Sequence, residues 1–193
     1  RGGVTLVDEI YLGLSYDARF GRSALACGDD VVSINSFSKY FSMTGWRLGW
    51  LVLPRDLVEP VERLAQNLYI CPSTLAQRAA LACFEPESLA EFERRRGEFA
   101  RRRDAVLQGL RRIGLPVPVE PDGAFYAWVD CSALAAEWGD SWSLCHRLMH
   151  DAHVVLTPGR DFGPASADRH LRLSYASALP RLEAALDRLA RVL

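Results

Sequence analysis

A single lysine stands in the stretch INSFSKYFSMTGWRLGWLVLP, residues 34–54, among serines, aromatic residues and glycines. It is Lys39, the one lysine among the 23 lysine and arginine residues of the chain. Arginine stays protonated in proteins, whereas lysine can lose its proton and act as a nucleophilic amine. In a chain that uses arginine wherever only positive charge is needed, this placement predicts a chemical role for Lys39.

A carboxylate and several anion-binding side chains are predicted to lie beside this lysine. Asp8 stands near the end of the first predicted strand, VTLVDEIY, and Lys39 follows the second, VVSINSFS. If the two strands are parallel neighbours, both side chains reach the crevice at the carboxyl ends of the strands, where α/β sheets bind ligands. Ser36 and Ser38 add hydroxyls, and Arg47 adds a planar guanidinium suited to phosphate. An amine, a lone carboxylate and a phosphate site together meet the needs of pyridoxal phosphate.

Other elements must support these residues. A turn with Thr44 and Gly45 leads into a third strand, RLGWLVLP, and helical periodicity covers residues 55–70 and 73–84. The segment PESLAEFERRRGEFARRRDAVLQGLRRIGLP is predicted to be one long helix. After it come three strands, AFYAWVD, HVVLTPG and HLRLSYA, with a helix WSLCHRLMHDA between the first two and a helix LPRLEAALDRLARVL at the end. We therefore expect an α/β part joined by the long helix to a three-strand α+β part.

Composition narrows the classes of function. The chain has 193 residues, a net charge of −1, 49% hydrophobic and 24% charged residues, which gives no electrostatic signature of nucleic-acid or membrane binding. The RRR clusters of the long helix alternate with acidic residues, so we expect a solvated, ion-paired face there. No apolar stretch is long enough to predict a membrane span, and no signal peptide is visible.

Five cysteines are scattered without metal-ligand or CxxC spacing, which predicts reduced, mostly buried thiols in a cytoplasmic protein. The chain enters a buried-looking strand within four residues, with no preceding helix or cap. We therefore expect it to be the C-terminal portion of a longer protein.

Several motifs now resemble one family. Ser36-Phe37-Ser38-Lys39 followed by Met43-Thr44-Gly45-Trp46-Arg47-Leu48-Gly49 resembles the signature of class I/II aminotransferases, which are fold-type I pyridoxal-phosphate enzymes. VDEIY is similar to the Asp-x-x-Tyr element of that family. PDGAFYAWVD, VVLTPGRDFG and HLRLSYA resemble its later blocks, in the same order. The resemblance covers essentially the whole chain.

The resemblance implies roles around the cofactor. Lys39 would form a Schiff base with pyridoxal 5′-phosphate and then move a proton between the substrate Cα and the cofactor. Asp8 would keep the pyridine nitrogen protonated, and Tyr11 would hydrogen-bond the phenolic oxygen. The phosphate would be held by three side chains, Ser36, Ser38 and Arg47.

On the substrate side, the resemblance implies that Arg172, in LRLSYA, binds the α-carboxylate of an amino acid or 2-oxo acid through a bidentate pair. Phe125, Tyr126 and Phe162 would shape the wall of the pocket. The reaction implied is transfer of an amino group from an amino acid to a 2-oxo acid.

The resemblance also implies an architecture. Residues 1–85 would be the C-terminal part of a large cofactor-binding domain with a mostly parallel sheet, 86–114 an interdomain helix, and 115–193 a small C-terminal α+β domain. A homodimer is implied as well. The phosphate-capping loop of the family, the aromatic residue that stacks on the pyridine and an asparagine near the phenolic oxygen belong upstream of residue 1. We therefore expect weak or no activity from these 193 residues alone.

Two alternatives remain open. Carbon–sulfur β-lyases share the lysine, aspartate and arginine and eliminate from the substrate instead of transaminating it. Some transcription regulators fuse a DNA-binding domain to an aminotransferase-like sensing domain, and the chain could be part of one, although no helix-turn-helix is present in it.

Overall fold

The computed structural model describes residues 3–193, apart from the side chains of residues 135 and 136. The chain forms two compact units, one ending at Gly97 and the other beginning at Glu98. We call them unit 1 and unit 2 and describe each separately.

The predicted strands and helices occur in the predicted order, and a short helix, Ala135–Trp138, occurs that was not predicted. The strands are β1 (Thr5–Asp8), β2 (Val31–Ser36), β3 (Gly49–Val52), β4 (Tyr126–Asp130), β5 (Thr157–Pro158) and β6 (His170–Ser174). The helices are α1 (Arg55–Leu68), α2 (Thr74–Leu81), α3 (Pro86–Arg112), α4 (Ala135–Trp138), α5 (Ser141–Arg147) and α6 (Leu179–Val192). Short 3₁₀ turns connect several of them, and a π-helical turn, Leu148–Ala152, extends α5.

Unit 1 is built on a three-stranded sheet in the order β1-β2-β3. β1 and β2 are parallel, with Asp8 opposite Ile34, whereas β3 runs antiparallel to β2, with Gly49 opposite Ser36. Gly49 lies so close to β2 that a Cβ there would be 2.6 Å from the Asn35 carbonyl oxygen. The end of β2, which leads to Lys39, is therefore held between two strands.

The core of unit 1 lies under the turn that carries Lys39. Phe37, Met43 and Leu48 come from this turn region and pack with residues of α2, the following 3₁₀ turn and α3, namely Ala76, Ala80, Cys83 and Phe92. Burying each large apolar side chain contributes about 1.5–3 kcal/mol. The turn is thus anchored through residues on both sides of the lysine.

Unit 2 is built on an antiparallel sheet in the order β4-β6-β5. Its strands alternate between two faces, because successive side chains of a strand point to opposite sides. Ala127 and Val129 of β4 and Leu171 and Leu173 of β6 are buried in the core with α5 and α6. The opposite face therefore carries the polar and aromatic positions of the same strands.

Several sequence-based expectations need correction. The strand predicted over HVVLTPG is only Thr157–Pro158, because the preceding helix ends at the left-handed His153 (φ 53°) and Pro158 has no N–H to donate to a ladder. The helix predicted over residues 73–84 ends at Leu81, and a 3₁₀ turn follows it. The spacing of Leu89 from Phe92 and Phe99 predicts that it lies on the apolar face of α3, but it is 38% exposed.

Apolar side chains remain exposed on unit 1. None of the residues of α1 is buried, and Leu64 and Leu68 are more than half exposed. A groove of about 1010 Å³ runs between α1, β3 and residues 69–76. Exposed apolar surface of this extent is typical of an interaction site.

Of the five cysteines, Cys83, Cys131 and Cys145 are buried, whereas Cys27 and Cys71 are exposed. Within residues 3–193, no helix is both long and apolar enough to cross a membrane. The same part of the chain holds no group of three or more His, Cys, Asp or Glu side chains that could bind a metal ion.

Candidate active site

Lys39 lies in the turn that follows β2, half-buried. Its carbonyl oxygen accepts a 3.0 Å hydrogen bond from the Ser42 N–H, which closes the turn. Its Nζ lies 5.6 Å from the centroid of the Tyr11 ring. A cation at this distance interacts favourably with the face of a tyrosine. The structure therefore brings together Lys39 and Tyr11, two residues 28 positions apart that the sequence analysis had assigned to one site.

Asp8 ends β1, beside the strand that leads to Lys39. It is exposed, and its Oδ1 accepts a 3.2 Å hydrogen bond from the Ile10 N–H. This Asx-type contact turns the chain out of the strand, and a 3₁₀ turn, Leu12–Leu14, follows with Tyr11 at its start. Asp8 and Tyr11 thus lie at the carboxyl edge of the parallel pair β1–β2, as predicted for a ligand-binding crevice.

Ser36 and Ser38 form a hydroxyl pair at the end of β2. Their Oγ atoms are 2.9 Å apart, and Ser36 Oγ accepts a 3.0 Å hydrogen bond from the Ser38 N–H. Ser36 Oγ also lies 3.3 Å from the Leu48 carbonyl oxygen. The two side chains predicted to bind phosphate therefore share one location, directly before Lys39.

Arg47 lies at the end of a strained turn. It adopts a left-handed conformation (φ 52°), as does Ser42 (φ 56°), and such a conformation costs a residue other than glycine about 1–2 kcal/mol. The turn is held by a 2.5 Å hydrogen bond from Thr44 Oγ1 to the Ser38 carbonyl and a 2.9 Å bond from Arg47 Nη1 to the Thr44 carbonyl. The guanidinium is exposed and lines the apolar groove of unit 1.

Glu9 is a buried carboxylate that the sequence analysis did not single out. Its Oε2 accepts hydrogen bonds from Ser33 Oγ (2.5 Å) and Ser23 Oγ (2.9 Å), and its Oε1 from the Ala24 N–H (2.6 Å). Burial acts to raise the pKa of Glu9, but these bonds and one from Asn35 outweigh it and lower the pKa. The ionised Glu9 therefore ties β1 to β2 and to the segment after Tyr11. Its position beside Asp8 in an otherwise apolar strand was the available sequence signal.

Tyr40, the residue after Lys39, was also missed. Its hydroxyl donates a 2.6 Å hydrogen bond to Glu93 Oε1 on α3. Its ring contacts Gly13, where an added Cβ would lie 2.7 Å from Tyr40 Cγ. Burial and the neighbouring Glu93 carboxylate raise the pKa of Tyr40 to about 12. Since 53 positions separate Tyr40 from Glu93, no local pattern could reveal this contact.

In unit 2, Arg172 lies on the face of the sheet opposite the core. Its guanidinium carbon is 4.3 Å from the centroid of the Tyr126 ring and 4.6 Å from that of Phe162. Arg172 Nε is buried and, among the described residues, has no hydrogen-bond partner. A buried donor of this kind favours binding of an acceptor such as a carboxylate.

Of the three aromatic residues assigned to the pocket, the structure places two against Arg172. Phe162 is 48% exposed, and Tyr126 is half-buried. Phe125 instead points toward the core side, where its ring lies 5.4 Å from that of Phe99. Its ring centroid also lies 4.7 Å from that of Tyr126, so Phe125 packs against Tyr126 and helps to hold it in place.

Two further aromatic residues extend this face of unit 2. Trp128 lies opposite Arg172 in the β4–β6 register, and its ring meets Phe162 edge-on at 5.3 Å. The Trp128 ring also stacks in parallel on His170, with ring centroids 5.3 Å apart. The period-two spacing of Tyr126 and Trp128 was a signal for this face that the sequence analysis did not use.

The chain is similar to known proteins over most of its length. The family model for aminotransferase class I and II matches residues 1–190. The chain is 41% identical over 183 residues to a valine–pyruvate aminotransferase of Mycobacterium tuberculosis, covering 94% of this chain and 46% of the relative. It is 36% identical over 188 residues to an aspartate/prephenate aminotransferase of Thermus thermophilus, covering 96% and 47%.

A similar structure is known. The crystal structure of an aminotransferase from Mycobacterium tuberculosis superposes with a TM-score of 0.91 at 40% identity, covering 97% of this chain and 48% of that one. The chain spans about half the length of the curated relatives that it matches. On the family match and these identities, the chain belongs to the class I and II aminotransferases.

Proposed function

We propose that the protein containing this chain is a pyridoxal-phosphate-dependent aminotransferase. The observation that carries the proposal is the placement of Lys39 Nζ over the Tyr11 ring, at the carboxyl edge of the parallel strands β1 and β2. The aminotransferase names of the matched relatives favour transamination over elimination and over a sensing domain of a transcription regulator.

The residues of unit 1 fit the cofactor by their chemistry. An amine, a carboxylate, a phenol and a pair of hydroxyls occur at one edge of the sheet, and these match the aldehyde, ring nitrogen, phenolic oxygen and phosphate of pyridoxal phosphate. When bound, this cofactor supplies an electron sink for carbanion chemistry at the substrate Cα.

Each residue would make a separate contribution. Lys39 Nζ would hold the cofactor and later carry a proton at the substrate Cα. The Asp8 carboxylate would keep a proton on the ring nitrogen, and Tyr11 would donate to the phenolic oxygen. The hydroxyls of Ser36 and Ser38 would bind the phosphate, joined by the guanidinium of Arg47.

The substrate would be selected in part by Arg172. Its buried Nε, which has no hydrogen-bond partner among the described residues, and its position against the Tyr126 and Phe162 rings support binding of an α-carboxylate. Phe125 would act through Tyr126. The substrates proposed are amino acids and 2-oxo acids.

We further propose that the chain is the C-terminal half of its protein, with residues 1–85 in a large domain, 86–114 as an interdomain helix and 115–193 as a small domain. The match to about half the length of each relative supports a half-length chain, and the boundary between the compact units, Gly97 to Glu98, falls inside the proposed interdomain helix. The open apolar groove along α1 supports a homodimer of the whole protein. We propose a cytoplasmic location from the unpaired cysteines.

The proposal is tested with the full-length protein. Pyridoxal phosphate should give a visible absorption band that is lost in Lys39→Ala and retained in the control Arg55→Lys, which changes an exposed residue of α1. Addition of an amino acid alone should convert the cofactor to pyridoxamine phosphate. Release of pyruvate instead would support a β-lyase, and an unchanged band in Lys39→Ala would refute the assignment of the lysine. The 193-residue chain alone should turn over weakly or not at all.

A further inference from the structure

A series of contacts joins the residue after Lys39 to the turn that contains Tyr11. The Tyr40 hydroxyl donates to Glu93 Oε1 at 2.6 Å, and Glu93 Oε2 accepts from Arg96 Nε at 2.9 Å. Arg96 then donates from Nη1 to the Ser15 carbonyl oxygen at 2.9 Å. Three segments distant in sequence are therefore connected by side-chain hydrogen bonds.

The same turn is held a second time through packing. The Tyr40 ring lies against Gly13, where only the absence of a side chain allows the approach. Tyr11, Gly13 and Ser15 belong to one short turn, which is closed by a 2.8 Å hydrogen bond from the Leu14 N–H to the Tyr11 carbonyl. Tyr40 and Arg96 therefore hold this turn at Gly13 and Ser15, directly after the residue that faces Lys39.

The charges of the series are consistent with one another. The hydrogen bond from Tyr40 lowers the pKa of Glu93 against the opposing effect of burial, and Arg96 lowers it further. Burial and Glu93 raise the pKa of Tyr40. A neutral phenol donating to an ionised carboxylate is therefore the stable state across ordinary pH.

We propose that Tyr40, Glu93 and Arg96 act as a clamp that sets the position of the Lys39 amine over the Tyr11 ring. None of the three needs to touch cofactor or substrate, so they are positioning residues. Their importance for catalysis rests on the proposed function of Lys39. Their effect on the position of the Lys39 amine does not depend on that function. The clamp adds residues of α3 and of the Lys39 turn to those that determine where the amine lies.

The test uses Lys39 as a reporter in the full-length protein without cofactor. Reductive methylation with ¹³C-formaldehyde places two labelled methyl groups on Lys39, the one lysine of residues 1–193, and also labels the α-amino group and any lysine elsewhere in the protein. The Lys39 signal is therefore assigned by its absence in Lys39→Arg. These methyl protons lie near the Tyr11 ring face and are shifted upfield by its ring current, and Tyr11→Leu gives the position without this shift. We expect the signal of Tyr40→Phe and of Glu93→Gln to move more than half of the way from the wild-type position to that of Tyr11→Leu.

Glu91→Gln is the matched control, because Glu91 lies on the same helix and forms ion pairs with Arg94 and Arg95. Its signal should stay at the wild-type position. Circular dichroism of each variant distinguishes a local shift of the lysine from unfolding. We expect the Phe and Gln variants to retain the helical signal of the wild type. Tyr40→Phe keeps the ring on Gly13 and removes only the hydroxyl, so its fold should be preserved.

The clamp and the proposed function fail separately. If folded Tyr40→Phe and Glu93→Gln both leave the Lys39 signal at the wild-type position, the clamp is refuted whatever the cofactor does. If the signal moves as expected while the full-length protein forms no Lys39-dependent band with pyridoxal phosphate, the clamp stands and the proposed function fails.

Discussion

Ser33 Oγ lies 2.5 Å from Glu9 Oε2, in the buried space between β1 and β2. Ser33 is fully buried and Glu9 is 8% exposed, so this contact is shielded from water. Because Asp8 ends β1 and Lys39 lies in the turn that follows β2, the contact fixes the two strands that position both residues.

Replacing Glu9 by Gln should destabilise unit 1. A Gln side chain has one acceptor oxygen where the carboxylate has two. Its NH₂ group would face the Ser33 and Ser23 hydroxyls or the Ala24 N–H, all of which donate to the carboxylate in the wild type. Leaving buried donors unsatisfied costs about 1–3 kcal/mol each, so we expect a loss of about 1–3 kcal/mol in the free energy of unfolding measured with urea at neutral pH.

The same variant has a predicted pH dependence. The pKa of Glu9 in the folded state is below 4.5, its ordinary value, so its stabilising effect is present above pH 4.5 and is lost as the pH falls through the folded pKa. The difference in stability between wild type and Glu9→Gln should therefore shrink on acidification. A difference that stays constant from neutral to strongly acidic pH would contradict the role of the carboxylate.

Tyr40 predicts a second pH dependence, at alkaline pH. Its pKa is 10 when unfolded and about 12 when folded, so the unfolded state loses the proton first. The stabilising effect is complete below pH 10 and is lost as the pH rises to 12. Urea unfolding should show a steeper loss of stability over this range for the wild type than for Tyr40→Phe; equal slopes would show that the pKa is not raised.

Gly13→Ala should disturb the packing of Tyr40. The new Cβ would lie 2.7 Å from Tyr40 Cγ, so the ring must shift, at a cost of about 1–3 kcal/mol for overpacking. Gly97→Ala is the control, because nothing lies within 4 Å of a Cβ at this helical position. It should stabilise α3 by about 0.5–1 kcal/mol. Equal effects of the two variants in urea unfolding would argue against close packing at Gly13.

Arg172→Lys should weaken carboxylate binding in the full-length protein. Lysine keeps the charge but has no planar fork to lie between Tyr126 and Phe162 or to donate through Nε. Loss of one charged hydrogen bond costs about 1.5–3 kcal/mol, so kcat/KM should fall roughly 10- to 100-fold. Arg191→Lys, at an exposed position of α6, should leave kcat/KM unchanged. An unaltered value in Arg172→Lys would remove this residue from the substrate site.

The sequence was sufficient to predict what depends on neighbours along the chain. The β-branched run of β2 and the long amphipathic pattern of α3 gave strand and helix within a few residues of the structure. The parallel pairing of β1 and β2, stated only as a condition for Asp8 and Lys39 to share a crevice, occurs in the structure. Tyr11 was assigned from the resemblance to class I/II aminotransferases, and its ring lies 5.6 Å from Lys39 Nζ.

What the sequence did not reveal depends on contacts between distant segments. The bond from Tyr40 to Glu93 and the cluster around Glu9 join residues 53 and 24 positions apart, and no periodicity marks such pairs. The left-handed Arg47 is similarly set by the turn around it. Valines and a leucine near β5 suggested a longer strand, but a proline and a left-handed residue shorten it.

The alternation along β6 has a consequence for folding. Arg172 stands between Leu171 and Leu173, which are buried in the core of unit 2 while Arg172 faces away from it. A slip of one residue in the pairing of β6 would exchange the two faces, placing a guanidinium in the apolar interior at a cost of several kcal/mol. The side chain proposed to recognise substrate therefore also disfavours pairing of β6 that is shifted by an odd number of residues, so that a strand with the correct face inward and a usable carboxylate receptor arise together.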